Sequence, residues 1–207
     1  MATPYCCIEK NQNRVAFLIP SVEYGAYWLP ILTEFSQYFK EVVCYTGKLP
    51  KSFNSVTPGI SLFHVVGRMI KIELIQNKGG YSHDFLILSP AIIGCLIRFR
   101  PHVIFTSGFS LWTILALLLK PLGRWSVILI YDGVSPNLEF KNSKFRIFFR
   151  RWIGKLTDKF ISNSQDGERY LTEVIGVDKT DVHTRPYLVP DTRLIGRYIN
   201  DDNLVHL

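Results

Sequence analysis

The chain has 207 residues, of which 47% are hydrophobic and 14% aromatic. That composition excludes a disordered polypeptide and predicts a sizeable hydrophobic core, in one large domain or two small ones. The formal net charge of +7 favours an acidic partner, which includes nucleic acid, anionic lipid and phosphorylated small molecules.

The first half of the chain alternates between apolar runs and helically spaced apolar residues. Residues 14–20 form a continuous apolar run closed by turn residues, which is typical of a buried parallel strand. Residues 29–39 carry apolar side chains at helical spacing, and residues 41–47 and 60–66 predict two further strands. The apolar residues of 83–98 predict the next helix.

The second half continues the same alternation. Its predicted strands cover residues 101–108, 125–133, 158–164 and 181–188, and its predicted helices cover residues 109–120, 144–156 and 165–176. Alternation of this kind is typical of a mostly parallel sheet with helices on both faces. We therefore predict a single Rossmann-like α/β domain, with a ligand crevice at the carboxyl ends of its strands.

Small and polar residues stand at the ends of the predicted strands at that edge. They are Glu23, Tyr24 and Gly25 after the first strand, and Ser107, Gly108, Asp132, Gly133, Asn163 and Ser164 as the last residues of the later ones. All of these are also common turn or helix-cap residues. Asp132 follows a run as apolar as VILIY, and this position favours a binding or catalytic role for its carboxylate.

Several common catalytic signatures are missing from the sequence. The first predicted strand is followed by neither G-x-G-x-x-G nor a Walker A motif, which argues against the common dinucleotide and P-loop sites. No G-x-S-x-G elbow supports an α/β-hydrolase. His64, His102 and His183 lie in or at the start of predicted strands, where we expect structural roles.

The cysteines and the amino terminus favour a cytoplasmic protein. The four cysteines lack metal-binding spacing, and Cys44 and Cys95 lie in apolar runs where buried, reduced thiols are expected. Residues 1–14 lack the basic and then apolar order of a secretory signal. The longest apolar run, 109–119, is shorter than the roughly 20 residues that span a bilayer, so we expect at most a peripheral place at the inner face of a membrane.

The helix that begins at residue 144 is both aromatic and basic. On a helical wheel one broad face holds Phe145, Phe148, Phe149, Trp152, Ile153 and Leu156, and this face is predicted to pack on the sheet. Arg146, Arg150, Arg151 and Lys155 lie off that face. An ordinary solvated surface is one interpretation of these cations. The alternative that we favour is an anionic membrane surface, which attracts each nearby cation by about 1 kcal/mol.

Three stretches share their order and spacing with one enzyme family. They are RPHVIFTSGFSLWTILALLLK (100–120), FFRRWIGKLTDKFISNSQDGERYLTEVIGV (148–177) and VHTRPYLVPD (182–191). Together they resemble the amino-terminal half of the family-4 glycosyltransferases, which have the GT-B fold of two facing Rossmann-like domains. The resemblance covers residues 14–191, leaves 1–13 as a tail, and makes 192–207 a tail or the start of an interdomain linker.

The resemblance implies transfer of a sugar from a nucleotide-activated donor to a glycan or lipid-linked acceptor, as in polysaccharide biosynthesis. It also implies retention of the anomeric configuration, no cofactor and no obligatory metal. In that family the amino-terminal domain holds mainly the acceptor, and the second domain holds the nucleotide sugar as a co-substrate. The residues around Gly25 would then approach the donor phosphates, with Ser107, Gly108, Gly133 and Ser164 in the same vicinity.

The chain departs from the family pattern in three ways. The first loop keeps one glycine, Gly25, where many members have two. Asp132 stands where many members have a histidine beside the reacting sugar, and a carboxylate there can orient an acceptor hydroxyl or stabilise positive charge on the sugar. The donor domain, with its acidic E-x7-E motif, would follow Leu207. We therefore expect this chain alone to be inactive and to need a donor-binding domain, in cis or as a separate chain.

Two other functions remain open at this point. One is a non-catalytic subunit of a split glycosyltransferase, which binds the acceptor or the membrane. The other is a basic nucleic-acid-binding protein with a Rossmann-like fold, which is less favoured because no helix-turn-helix, RNP or zinc-finger pattern accompanies the charge.

Overall fold

The computed structural model describes residues 10–21, 28–49, 62–67, 70–76, 82–132 and 144–185. The strands in these ranges are β1 (Asn11–Leu18), β2 (Phe39–Thr46), β3 (Phe63–Val65), β4 (Ile70–Gln76), β5 (Ser82–Ile87), β6 (Val103–Ser107), β7 (Ser126–Tyr131), β8 (Lys159–Ser162) and β9 (Val182–Thr184). The helices are α1 (Trp28–Tyr38), α2 (Ile92–Phe99), α3 (Leu111–Gly123), α4 (Lys144–Leu156) and α5 (Gln165–Arg169), and α5 continues as the π-helical segment Tyr170–Ile175.

Seven of the strands form one parallel sheet in the order β3-β2-β1-β6-β7-β8-β9. The chain runs outward from β1 to β3, returns to place β6 beside β1, and then runs outward the other way to β9. The direction reverses between β1 and β6, where Val15 pairs with Val103 and Leu18 pairs with Thr106. Ligands of doubly wound sheets bind at the carboxyl ends of the strands beside such a reversal. The predicted Rossmann-like fold is confirmed.

Helices cover both faces of the sheet. Leu96 of α2, Trp112 of α3 and Ile153 of α4 belong to one buried cluster. Trp28 and Leu32 of α1 belong to a second cluster on the opposite face. Consecutive strand residues point to opposite faces, so the nearly continuous apolar runs in the sequence supply both clusters from the same strands.

The predicted helix over 83–98 is wrong in its first half. Residues 82–87 form β5, which pairs antiparallel with β4 outside the main sheet, and α2 begins only at Ile92. Pro90 explains the late start, because proline disfavours the helical conformation in the residue before it. The pair Gly79-Gly80, between two runs with strand-forming residues, was the sequence signal for this hairpin.

Local capping sets the helix boundaries near the crevice. The Ser110 hydroxyl accepts a hydrogen bond from the Thr113 backbone N–H at 3.3 Å, which begins α3. The π-helical segment ends at Gly176, whose φ of +84° is the left-handed conformation that favours glycine. Gly176 is also the last residue of the helix that the sequence predicts over 165–176.

Asp158 joins three elements at the amino edge of the sheet. Its Oδ2 accepts a hydrogen bond from the Val127 backbone N–H at 2.7 Å, and its Oδ1 accepts one from Lys120 Nζ at 2.6 Å. The same ammonium group donates to the Leu156 carbonyl at 3.0 Å. The aspartate therefore ties the start of β7 to the ends of α3 and α4.

Cys44 and Cys95 are free thiols, as predicted, but Cys95 is only half-buried, which differs from the prediction. Cys44 is fully buried, and this burial raises the pKa of its thiol, so the unreactive protonated form persists at neutral pH. Within the described ranges, every helix is too short or too polar to cross a membrane.

Candidate functional site

The turn after β6 opens the candidate crevice. Gly108 donates its backbone N–H to the Ile130 carbonyl at 2.8 Å and accepts from the Thr113 hydroxyl at 2.8 Å. Its φ is +62°, and within the described part of the chain an added Cβ would meet nothing within 4 Å. The left-handed backbone conformation therefore explains the glycine, and no described residue fills the space beside it. Ser107, the last residue of β6, is half-buried beside it.

Asp132 and Asn163 meet at the same edge. Asp132 is exposed directly after β7, and its backbone carbonyl accepts a hydrogen bond from the Asn163 side-chain amide at 3.0 Å. Asn163 follows β8, so this bond joins the ends of two neighbouring strands. The amide oxygen of Asn163 is buried and has no hydrogen-bond partner within the described part of the chain. Buried acceptors are rarely left unpaired, so a donor group is expected there.

Ser164 is the N-cap of α5. Its hydroxyl accepts from the Gly167 backbone N–H at 3.1 Å, and its carbonyl accepts from the Ser162 hydroxyl at 2.9 Å. From the sequence, Ser164 could be either a helix cap or a site residue. The structure shows that it caps α5. The cap fixes the start of α5 beside the crevice.

A cation and three aromatic rings stand at the ends of β6 and β7. The Arg150 guanidinium lies 4.9 Å from the Phe109 ring centre and 5.7 Å from that of Tyr170, and it donates to the Tyr170 hydroxyl at 2.6 Å. Tyr170 stacks on Tyr131 with ring centres 5.4 Å apart. Burial is the main cause that raises the pKa of Tyr131, with Tyr170 raising it further and Arg150 lowering it.

Sequence reasoning missed this cluster. Phe109 and Tyr131 lie next to predicted strand ends, which was the available signal. Their partners come from α4 and from the π-helical segment, and a helical wheel of α4 alone does not show that Arg150 turns toward them.

The structure divides the apolar face predicted for α4. Phe145 and Phe148 are 77% and 69% exposed, so the prediction that they pack on the sheet is wrong. Ile153 is buried and Trp152 is partly buried against the same core cluster, as predicted. The buried residues of the helix are Ile153 and Gly154. A Cβ on Gly154 would lie 3.0 Å from the Ile175 side chain, so the absence of a side chain lets this face approach the π-helical segment closely.

The four cations predicted to contact a membrane also differ in their positions. Arg150 points into the protein, so its predicted position off the packed face is wrong. Arg151 is exposed, and its Nε donates to the Val174 carbonyl at 2.9 Å. Arg146 and Lys155 are exposed. The membrane role itself stays a prediction. Of the other predicted site residues, Glu23, Tyr24, Gly25 and Gly133 lie outside the described residues.

A second carboxylate lies at the far side of the crevice edge. Glu168 of α5 accepts a hydrogen bond from the Thr184 hydroxyl at the end of β9, and Lys179 Nζ lies 3.4 Å from its other oxygen. The Thr184 bond is the main cause that lowers the pKa of Glu168, with Lys179 adding to it. Glu168 is therefore ionised at neutral pH and holds α5 against β9.

His102 has a structural role, as predicted. Its Nδ1 accepts a hydrogen bond from the Arg14 backbone N–H at 2.9 Å. The bond joins β1 to the turn before β6. It lies at the amino edge of the sheet, away from the crevice.

Comparison with known proteins identifies the fold. No protein-family model and no curated protein sequence matches the chain. Anabaena HepE in complex with UDP and glucose superposes with a TM-score of 0.57 at 12% identity, over 86% of this chain and 45% of that one. UDP-N-acetylglucosamine 2-epimerase from Rickettsia bellii gives 0.57 at 13% identity, over 93% of this chain and 50% of that one.

The similarity shows a shared architecture. The chain has the α/β Rossmann-like fold of one half of a GT-B protein, as predicted. It spans 45% of the HepE chain and 50% of the Rickettsia chain, which is about half of each.

Proposed function

We propose that this chain is the acceptor-side domain of a GT-B glycosyltransferase similar to family 4, and that its crevice holds a glycan or a lipid-linked acceptor. The observation that carries the proposal is the junction of Asp132 and Asn163 at the carboxyl edge of the sheet. An exposed carboxylate and a buried amide oxygen without a described partner stand there together. Both accept hydrogen bonds, and sugar hydroxyls donate them.

The structural comparisons support a role in sugar chemistry. HepE was determined with UDP and glucose bound, and the Rickettsia protein is a UDP-N-acetylglucosamine 2-epimerase. Each is about twice as long as the matched region, since the chain covers 45% and 50% of them. In our proposal a second domain, in cis or as a separate chain, binds most of the nucleotide sugar. The three stretches that resemble family 4 favour sugar transfer over epimerisation.

Asp132 is the residue that we assign to the chemistry. Its carboxylate would accept a hydrogen bond from the attacking acceptor hydroxyl, or stabilise the positive charge that develops on the sugar in the transition state. Asn163 would act as a positioning residue, because its amide holds the Asp132 peptide in place. Gly108 keeps the crevice open. Retention of configuration and independence from metal belong to the same proposal.

Substitution of Asp132 tests this assignment. In the enzyme completed by its donor domain, Asp132→Asn should lower turnover at least tenfold, which corresponds to about 1.4 kcal/mol of barrier. The control is Asp181→Asn, which removes a carboxylate just before β9 at the opposite edge of the sheet. Initial rates of sugar transfer should fall for the first variant only. Equal rates for both variants would leave Asp132 as a turn residue.

Binding measurements on the 207-residue chain by itself test whether it binds the acceptor and leaves the nucleotide sugar to a second domain. Candidate acceptor glycans should shift the amide NMR signals of residues at the crevice, including Gly108 and Asn163. UDP-sugars should bind far more weakly than at the about micromolar level, near −8 kcal/mol, of a complete site. Micromolar binding measured by calorimetry would show that this half holds the donor, and would refute the proposal.

A further inference from the structure

The outer face of α4 carries an exposed ladder of aromatic rings. Phe145, Phe148 and Phe149 are 77%, 69% and 38% exposed. Phe145 stacks on Phe149 with ring centres 6.3 Å apart, and Phe149 contacts Trp152 at 5.7 Å. Soluble proteins rarely expose large apolar groups in contiguous patches, and such patches commonly mark binding surfaces.

This exposure does not come from a loosely attached helix. The opposite face of α4 is anchored by the buried Ile153, by the close approach of Gly154 to Ile175, and by Arg150 in its aromatic cluster. Arg151 adds a hydrogen bond to the Val174 carbonyl. The helix is thus held firmly with its phenylalanines pointing away from the sheet.

The charges on α4 itself all have one sign. Residues 144–156 include five cations and no carboxylate. Each helical residue advances by about 100°, which places Lys144, Arg151 and Lys155 together along one flank of Phe148. All three side chains are exposed. The neighbouring helix α3, which Lys120 joins to the end of α4, exposes Leu118 and Leu122.

We propose that this aromatic and basic face of α4 binds the surface of an anionic lipid bilayer. Phenylalanine rings insert at the boundary between headgroups and acyl chains, while lysine and arginine side chains contact lipid phosphates. The combination of exposed rings with cations and without carboxylates matches that chemistry. The face lies on the outside of a helix layer, whereas the crevice lies at the strand ends. Membrane binding and acceptor binding are therefore independent claims.

The structure changes which residues carry this surface. The sequence assigned membrane contact to the cations and core packing to the rings. Here the rings make the contact, Lys144 and Lys155 supply exposed positive charge on the flank, and Arg150 has an internal role.

Vesicle flotation with the full chain tests the proposal. Wild-type protein should float with vesicles of phosphatidylcholine and phosphatidylglycerol, and bind less to phosphatidylcholine alone. Phe145→Ser/Phe148→Ser should reduce binding at least tenfold. Because both rings are mostly exposed, the variant should keep the wild-type circular dichroism spectrum and melting temperature. The matched control is Tyr38→Ser/Val65→Ser, at side chains that are 45% and 53% exposed on α1 and β3.

A charge variant separates the two contributions. Lys144→Gln/Lys155→Gln should weaken binding to the anionic vesicles by about 30-fold, since each cation contributes roughly fivefold, and should leave binding to neutral vesicles unchanged. Lys10→Gln/Lys40→Gln, near the starts of β1 and β2, is the control with the same loss of charge. Wild-type binding should also fall with added salt, since the screening length is about 10 Å at 0.1 M and about 3 Å at 1 M.

A tryptophan probe reports insertion directly. Phe148→Trp should gain more fluorescence and shift further to shorter wavelength with anionic vesicles than wild-type protein does, and brominated lipid should quench it more strongly. Tyr38→Trp should respond no more than wild type, whose Trp152 already lies beside the rings. Wild-type flotation that persists undiminished in Phe145→Ser/Phe148→Ser would overturn the proposal. So would a wild-type chain that ignores lipid but forms a dimer, measured by light scattering, which the same variant dissociates. That result would make the face a protein interface.

Discussion

Gly167 shows how a single residue shapes the edge of the crevice. A Cβ at this position would lie 2.2 Å from the Ser162 hydroxyl and 3.4 Å from the Tyr131 ring. Ser162 is fully buried and already donates to the Ser164 carbonyl, so it cannot move aside easily. Glycine therefore allows α5 to begin against the ends of β7 and β8, and this holds Ser164 and Asn163 in place.

We predict that Gly167→Ala lowers the free energy of unfolding by about 1–3 kcal/mol through overpacking. Gly94→Ala is the matched control, because Gly94 lies in α2 and a Cβ there meets nothing within 4 Å. That change should raise stability by up to about 1 kcal/mol, the difference in helix propensity between the two residues. Urea unfolding measures both. If the two variants were equally stable, the close approach at Gly167 would not constrain the fold.

At the scale of elements, α4 links the core, the crevice and the outer surface. Its buried face meets the core through Ile153, and one turn earlier Arg150 reaches the aromatic rings at the strand ends. Its outer face leaves Phe148 exposed. Hydrophobicity along the helix does not decide which face is buried, because apolar side chains stand on both faces, with Ile153 on the buried one and the phenylalanines on the exposed one.

Two side-chain truncations in α4 should show which of its faces is packed in the core. Ile153→Ala removes a side chain that is 1% exposed and should cost about 2–5 kcal/mol of stability. Phe148→Ala should cost less than about 0.5 kcal/mol, because the ring is mostly in solvent. Packing of the aromatic face on the sheet would give the opposite order. Chemical unfolding monitored by circular dichroism distinguishes the two arrangements.

At the scale of the whole molecule, the sheet joins two apolar layers into one unit. Neighbouring residues of β1 serve different layers: Leu18 packs in the cluster with α2 to α4, while Phe17 packs in the cluster with α1. Neither layer can lose its packing while the strands that it shares with the other remain in place. The domain should therefore unfold cooperatively.

We expect Leu32→Ala and Leu96→Ala, one in each layer, to cost about 2–5 kcal/mol each. Both side chains are fully buried. Each variant should still unfold in a single transition, with tryptophan fluorescence and far-ultraviolet circular dichroism giving the same midpoint. Trp28 reports on one layer, and Trp112 and Trp125 report on the other. Separate midpoints for the two probes would show that the layers unfold independently.

The sequence by itself determined the class of the fold and the edge of the sheet to which the candidate site residues belong. Apolar runs such as 14–20 and 125–131 are buried on both faces, so local composition is enough to mark them as parallel strands. Ser107, Gly108 and Asp132 follow such runs, and chain order alone puts them at the carboxyl edge. The hairpin of β4 and β5 was missed because the apolar residues of 83–98 were assigned to one helix across Pro90.

Only the tertiary structure decided which groups meet. Asn163 bonds to Asp132 across 31 positions of sequence, and Arg150 finds Phe109 and Tyr170 on other elements. The exposed face of α4 was decided in the same way. An amphipathic pattern shows that a helix has two faces, but burial also depends on how closely each face can approach its neighbour. Gly154 allows the close approach to Ile175, and the phenylalanines are therefore left in solvent.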